Sequence, residues 1–128
     1  MRYLLDTHAL VWWLYDSPRL SALARTIISN PDNEIAASAI SAYEIANKYR
    51  LGKWNEMAPL ATAFDEIVRA AGFALLPVNG RHAALAAQLP GAPRDPFDRL
   101  IAAQSRIEAV PVLTMDEAIR ALGAEAVW

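Results

Sequence analysis

No cysteine occurs in the 128 residues, so neither a disulfide nor a thiolate metal site is available. Histidine is nearly as scarce. His8 and His82 are the only two, too few for a zinc cage. Any intrinsic metal is therefore left to carboxylates, which favours Mg²⁺, Mn²⁺ or Ca²⁺. Positive charge is not in excess either: 12 Lys and Arg face 14 Asp and Glu, for a net charge of −2. A surface that binds nucleic acid through overall charge is thereby excluded, and a basic patch or bound cations would have to do so locally. No apolar run is long enough for a membrane span. Asp6 and His8 interrupt the N-terminal apolar run, which argues against a signal peptide and for a cytoplasmic protein with no membrane partner. Internal repeats, low-complexity stretches and interdomain linkers are absent as well.

What remains is an apolar-rich chain, 55 % hydrophobic and 20 % charged, of a length that suits one domain over residues 1–128. Its organising stretch is Arg2-Tyr3-Leu4-Leu5-Asp6-Thr7-His8, a short strand ending in a carboxylate. A helical pattern over Thr7 to Tyr15 follows at once and stops at Asp16-Ser17-Pro18. Ser21 caps a second helix over Ala22 to Ser29, and Glu34 to Ser38 reads as a second strand. Ser41 and Glu44 have capping-box spacing and open a third helix that runs to Gly52. After a loop at 53–58 come a fourth helix (59–71), a third strand (Phe73 to Val78), a turn at Asn79-Gly80 and a fifth helix (81–89). Pro96 suits the first position of a sixth helix reaching Glu108. Pro111 to Thr114 forms a fourth strand, Asp116 starts a short helix, and Ala126-Val127-Trp128 adds an edge strand. Strands alternating with helices indicate an α/β fold with a parallel sheet.

Four acids stand at the starts of helices: Asp6, Glu44, Asp98 and Asp116. Each has a local explanation as a cap or a first-turn acid favoured by the helix dipole. As a set they are less ordinary. Asp6, Glu44 and Asp116 closely follow strands, which places them along one edge of a parallel sheet, where ligands gather. Carboxylates brought together repel unless a cation neutralises them. Asp95 reads as a helix cap ahead of Pro96. Lys48, one turn after Glu44, is either an i,i+4 ion-pair partner or a phosphate contact. Arg94 and Arg99 flank Asp98 as phosphate contacts or as a solvated face. His8 reads as a helix-start residue rather than a base. Trp12 and Trp13 point about 100° apart on one helix, so one of them is expected to face outward.

Three stretches carry a family resemblance. They are Leu5-Asp6-Thr7-His8, Ser41-x-x-Glu44-Ile45-Ala46-x-Lys48, and Arg94-Asp95-Pro96-Phe97-Asp98-Arg99-Leu100-Ile101-Ala102-x-Gln104. Together with Val112-Leu113-Thr114-x-Asp116 they resemble the PIN-domain family, and most of all the VapC-type toxins of toxin–antitoxin pairs. The resemblance implies a three-layer α/β/α sandwich with a central parallel sheet, acting as an endoribonuclease with Mg²⁺ or Mn²⁺. It further implies a homodimer inhibited by a cognate antitoxin protein. The family's acidic quartet maps onto Asp6, Glu44, Asp98 and Asp116, as metal-binding and catalytic residues. Its hydroxyl positions map onto Thr7 and Thr114, while Met115 departs from the basic residue often found before the last acid. Two rival readings are a phosphate-receiver signalling domain and a catalytically silent binding module of the same fold. The first would want an acid pair after the first strand and a lysine after a late one, whereas the only lysines are Lys48 and Lys53. An intact quartet speaks against the second.

Overall fold

A computed structural model of the chain describes residues 1–91 and 95–128. Five strands form one sheet: β1 (Arg2–Leu5), β2 (Glu34–Ser38), β3 (Ala74–Leu76), β4 (Val112–Leu113) and β5 (Ala126–Val127). Their order is β3-β2-β1-β4-β5 and every pairing is parallel. Leu5 sits opposite Ala37 on one side and Leu113 on the other, so the central strands end level with one another. Whatever follows each strand therefore emerges at one edge.

Alternation along the strands divides the apolar residues between two cores. Leu5, Ile35, Ala37 and Leu113 face α1 (Thr7–Leu14), α2 (Ala22–Ser29), α3 (Ala39–Arg50) and α4 (Ala58–Ala70). Leu4, Ala36 and Val112 face α5 (Gly80–Gln88), α6 (Pro96–Glu108) and α7 (Glu117–Ala121). A sheet buried on both faces is what all-parallel pairing demands, and it explains strands whose central residues are apolar on both sides. The helices show the complementary period: in α4, Leu60, Phe64 and Val68 recur every four residues on the buried side. The result is the expected three-layer α/β/α sandwich. Among the described residues no helix is long and apolar enough to cross a membrane.

Two local expectations give way. The loop at 53–58 contains a 3₁₀ turn, Asn55–Met57, that leads directly into α4. More consequentially, α3 begins at Ala39, not near Ser41. β2 runs into α3 without a loop, and Ser38 supplies the cap, its Oγ accepting from the Ile40 N–H at 3.1 Å. Ser41 and Glu44 thus lie inside the helix, and the capping box read from their spacing does not form.

Ser38 also ties the layers together. It is fully buried and donates to Gln104 Oε1 at 2.6 Å, while Gln104 Nε2 donates to the Pro77 carbonyl at 3.2 Å. One buried network thereby joins the β2–α3 junction, the exit of β3 and α6. Gln104→Leu removes the acceptor of the Ser38 O–H and the donor to the Pro77 carbonyl, at a cost of about 1–3 kcal/mol. Thermal melts should show a fall of several degrees, which Ser38→Ala added to Gln104→Leu partly recovers. Unchanged melting in Gln104→Leu would show that the network contributes nothing.

Candidate active site

At the carboxyl edge of the sheet a small cleft is lined by Asp6, Glu44, Asp98 and Asp116, together with Thr7, His8, Lys48 and Asp95. The edge gathers them because each comes from the cap or the first two turns of a different helix. Asp6 follows β1 directly and caps α1, its Oδ1 accepting from the Ala9 N–H at 2.7 Å. Its other oxygen accepts from the Thr114 hydroxyl, which in turn accepts from the Asp116 N–H at 2.9 Å. Asp116 caps α7 through the Ala118 N–H at 2.9 Å. Asp98 stands in the first turn of α6 behind the cap Asp95, which accepts from the Phe97 and Asp98 N–H groups. Glu44 reaches the cleft from the second turn of α3.

These acids differ in what holds their charge. Glu44 is buried and receives Lys48 Nζ at 2.6 Å, so the i,i+4 ion pair forms. Lys48 Nζ also lies 4.9 Å from the centre of the Trp54 ring, a cation–π contact. Asp6 is buried, and desolvation raises its carboxyl above the usual range; the Thr114 and Ala9 donors and His8 oppose that shift, and Asp116 adds to it. Asp98 is half-buried, and no described residue donates to its carboxylate. Burial is the largest influence on it, followed by the charges of Asp95, Asp116, Glu44 and Asp6, and together they raise its pKa to about 7. A carboxyl at that value marks a site that carries more negative charge than its own donors neutralise.

Such a donor set suits a hard divalent cation: it is all oxygen, crowded, and short of positive partners. Among the described residues no group of three or more His, Asp or Glu is placed so as to hold an ion directly. Coordination by one or two carboxylates, with waters reaching the others, is the mode Mg²⁺ adopts most readily.

The other singled-out residues fall into place differently. Thr7 lines the cleft, but its hydroxyl is buried against Ser41 Oγ at 2.9 Å and so braces α1 against α3. Thr114 acts through Asp6. Arg99 is a correction: its guanidinium donates to the carbonyls of Ala86 (2.9 Å), Ala87, Leu89 and Gly91, and it does not line the cleft. Carbonyls left over at the end of α5 explain that choice, since the last turn of a helix offers acceptors to a nearby cation. Arg94 lies outside the described residues. Neither indole of α1 is fully exposed, for Trp13 packs towards Phe73 and Trp12 is half-buried beside His8 and Trp128. Ser38, Ser41 and Gln104 were not legible as supports of the site, because their partners lie 34 and 66 residues away.

The family model described as "PIN domain" matches residues 3–125. Ribonuclease VapC22 of Mycobacterium tuberculosis is 32 % identical over 121 residues, covering 91 % of this chain and 88 % of that protein. Among solved structures, VapBC2 from Rickettsia felis, bound to a DNA fragment from the promoter, superposes with a TM-score of 0.68. It has 17 % identity and covers 99 % of this chain and 98 % of its own. FitAcB from Neisseria gonorrhoeae gives 0.65 at 22 % identity, covering 98 % and 96 %. At those identities the two structures speak for the fold.

The charge balance at Asp98 has a measurable consequence without any substrate. Its carboxyl titrates near 3.8 unfolded and about 7 folded, so the native state holds a proton that the unfolded chain releases. Stability present below the lower value is lost as pH rises through the upper one. In chelator, Asp98→Asn should melt close to wild type near pH 4 and a few degrees above it at pH 8. That margin corresponds to on the order of 1 kcal/mol after solvent screening. A variant no more stable than wild type at pH 8 would mean that the acids do not burden one another.

Proposed function

Since the chain belongs to the PIN-domain family, we propose that it is a divalent-metal-dependent endoribonuclease serving as the toxin of a toxin–antitoxin pair in the cytoplasm. The observation that carries this reading is the cleft in which Asp6, Glu44, Asp98 and Asp116 face one another with a single lysine for compensation. The likeness to a protein named as a ribonuclease, over most of both chains, supports the reaction, and the solved structure of VapBC2 supports the fold on which it runs.

In this reading Asp6 and Asp98 hold Mg²⁺ or Mn²⁺, with Glu44 and Asp116 reaching it directly or through water. A divalent cation supplies, when bound, charge neutralisation at the phosphate and a more acidic water. The chain's own contribution is placement. Asp6 cannot turn, because the Ala9 N–H and the Thr114 hydroxyl each hold one of its oxygens. Glu44 is kept in place by Lys48, and Thr7 with Ser41 locks the two helices that carry Asp6 and Glu44. Asp98 keeps a carboxylate to which no described residue donates. Groups fixed before the substrate arrives require little reorganisation during reaction.

The protein works as a homodimer and is silenced by its antitoxin, through an amphipathic segment whose basic side chain answers the acids of the cleft. The silent-module and receiver readings have no observation in their favour here: the first predicts a degenerate quartet, the second a lysine at the sheet edge after a late strand.

Purified protein should cleave RNA with Mg²⁺ or Mn²⁺ and not in chelator, and Asp98→Asn should lower kcat/KM by on the order of a hundredfold or more. Full activity in excess chelator, or in Asp98→Asn, refutes the proposal. Cognate antitoxin should suppress the cleavage, and light scattering should report a dimer.

A further inference from the structure

His8 belongs to three concavities at once. It lines the acidic cleft, a neighbouring hollow shared by Asp6, Trp12, Arg19 and Asp116, and a groove of about 830 Å³ that runs along α1 to Trp54. These form one continuous trough that starts at the carboxylates and passes over an exposed imidazole. The trough's floor is aromatic. The His8 ring lies 5.5 Å from Trp12 and 5.5 Å from Trp54, and Trp12 lies 5.7 Å from Trp128. Its walls carry cations. Lys48 stands over Trp54, and exposed Arg19 lines both the hollow and the groove. Arg19 donates only its backbone N–H, to Ser17 Oγ at 3.2 Å; its guanidinium meets no acid or carbonyl among the described residues. Glu56 also lines the groove.

A solvent-exposed ring supported by two indoles, with an unpaired guanidinium beside it, is an unusual use of the surface of a chain with a net charge of −2. Ring faces and isolated cations are the two features that single-stranded nucleic acids require, stacking for the base and charge for the phosphate. We propose that the His8–Trp12–Trp54 ledge is a base-stacking subsite for an unpaired RNA nucleotide next to the scissile phosphate, with Arg19 holding a phosphate of that strand. This rests on the ribonuclease reading and adds to it the residues that would seat a base and a phosphate of the strand. A duplex keeps its bases stacked on each other and has none to offer the ledge.

The test compares wild type, His8→Ala, His8→Phe and Arg19→Gln on a short unstructured RNA and on a duplex, in Mg²⁺. Removing one base-stacking ring typically costs about tenfold or more in affinity. His8→Ala should therefore raise KM by about that factor on the unstructured RNA while kcat holds within about twofold, the pattern of lost uniform binding. His8→Phe should restore KM. Arg19→Gln should raise KM and flatten the log–log salt dependence by about 0.7, the value of one phosphate contact on a single strand. Tryptophan fluorescence should be quenched by the oligonucleotide in wild type, with the midpoint shifted to about tenfold higher concentration in His8→Ala. An unchanged KM in His8→Ala, or a His8→Phe protein as impaired as His8→Ala, overturns the ledge. So does a loss confined to antitoxin affinity, which would make the trough a protein groove. If wild type cleaves no RNA at all, the ribonuclease reading falls, and the quenching titration then decides the ledge alone.

Discussion

Asp6 passes straight from β1 into α1, and both of its oxygens are committed, one to the Ala9 N–H and the other to the Thr114 hydroxyl. The first bond starts a helix and the second spans 108 residues to the neighbouring strand, where the same hydroxyl receives the Asp116 N–H. Two of the four acids are thus fixed relative to each other through one threonine. The remaining two are brought to them by helices whose own attachments, Ser38 to Gln104 and Thr7 to Ser41, are also buried hydroxyl contacts. Short hydroxyl side chains suit this task, since they satisfy a donor and an acceptor in the small space between parallel strands and the helices above them.

This bracing works against a cost. Half-buried Asp98 faces four other carboxyl groups, and no described residue donates to it. A fold selected only for stability would replace it, since a carboxyl that titrates near 7 destabilises the native state throughout the range where it is ionised. Retaining it is the usual mark of a group kept for chemistry. Lys48 is the one cation that reaches the cleft from the described chain, and its charge is shared between Glu44 and the Trp54 ring. The net charge of −2 therefore understates how negative this edge of the sheet is, and how far the binding of a phosphate depends on a cation arriving with it or before it.

The aromatic residues extend the same division of labour. Trp13 packs towards Phe73 and serves the core, while Trp12, one position earlier, stands beside His8 at the head of the trough. Under the proposals above, adjacent positions on α1 divide stability from recognition, and the chemistry is assigned to Asp6, the cap that precedes the helix. One short segment covers all three because the helix begins at the edge where the cleft is, and its length then runs along the groove.

Much of this was legible from the residues in order. The strands and helices alternate as their apolar periods require, and Asp6, Ser21, Asp95 and Asp116 cap the helices they precede, because capping is decided within three or four residues. Asp6, Glu44 and Asp116 could be picked out by their places after strands, which parallel pairing brings to one edge, and Asp98 by its place in a family motif. What failed or stayed hidden depended on partners distant in the chain. Ser41 and Glu44 have the spacing of a capping box, but Ser38 starts the helix earlier because β2 ends on it. Arg99 stands beside Asp98 in sequence yet spends its donors on the carbonyls at the end of α5. Local chemistry determined the elements and their caps. Only the tertiary structure decided which hydroxyl meets which acid, that the Arg19 guanidinium meets no acid or carbonyl among the described residues, and that an exposed histidine rests between two indoles, because those outcomes depend on which surfaces the packed layers bring within hydrogen-bonding or stacking distance.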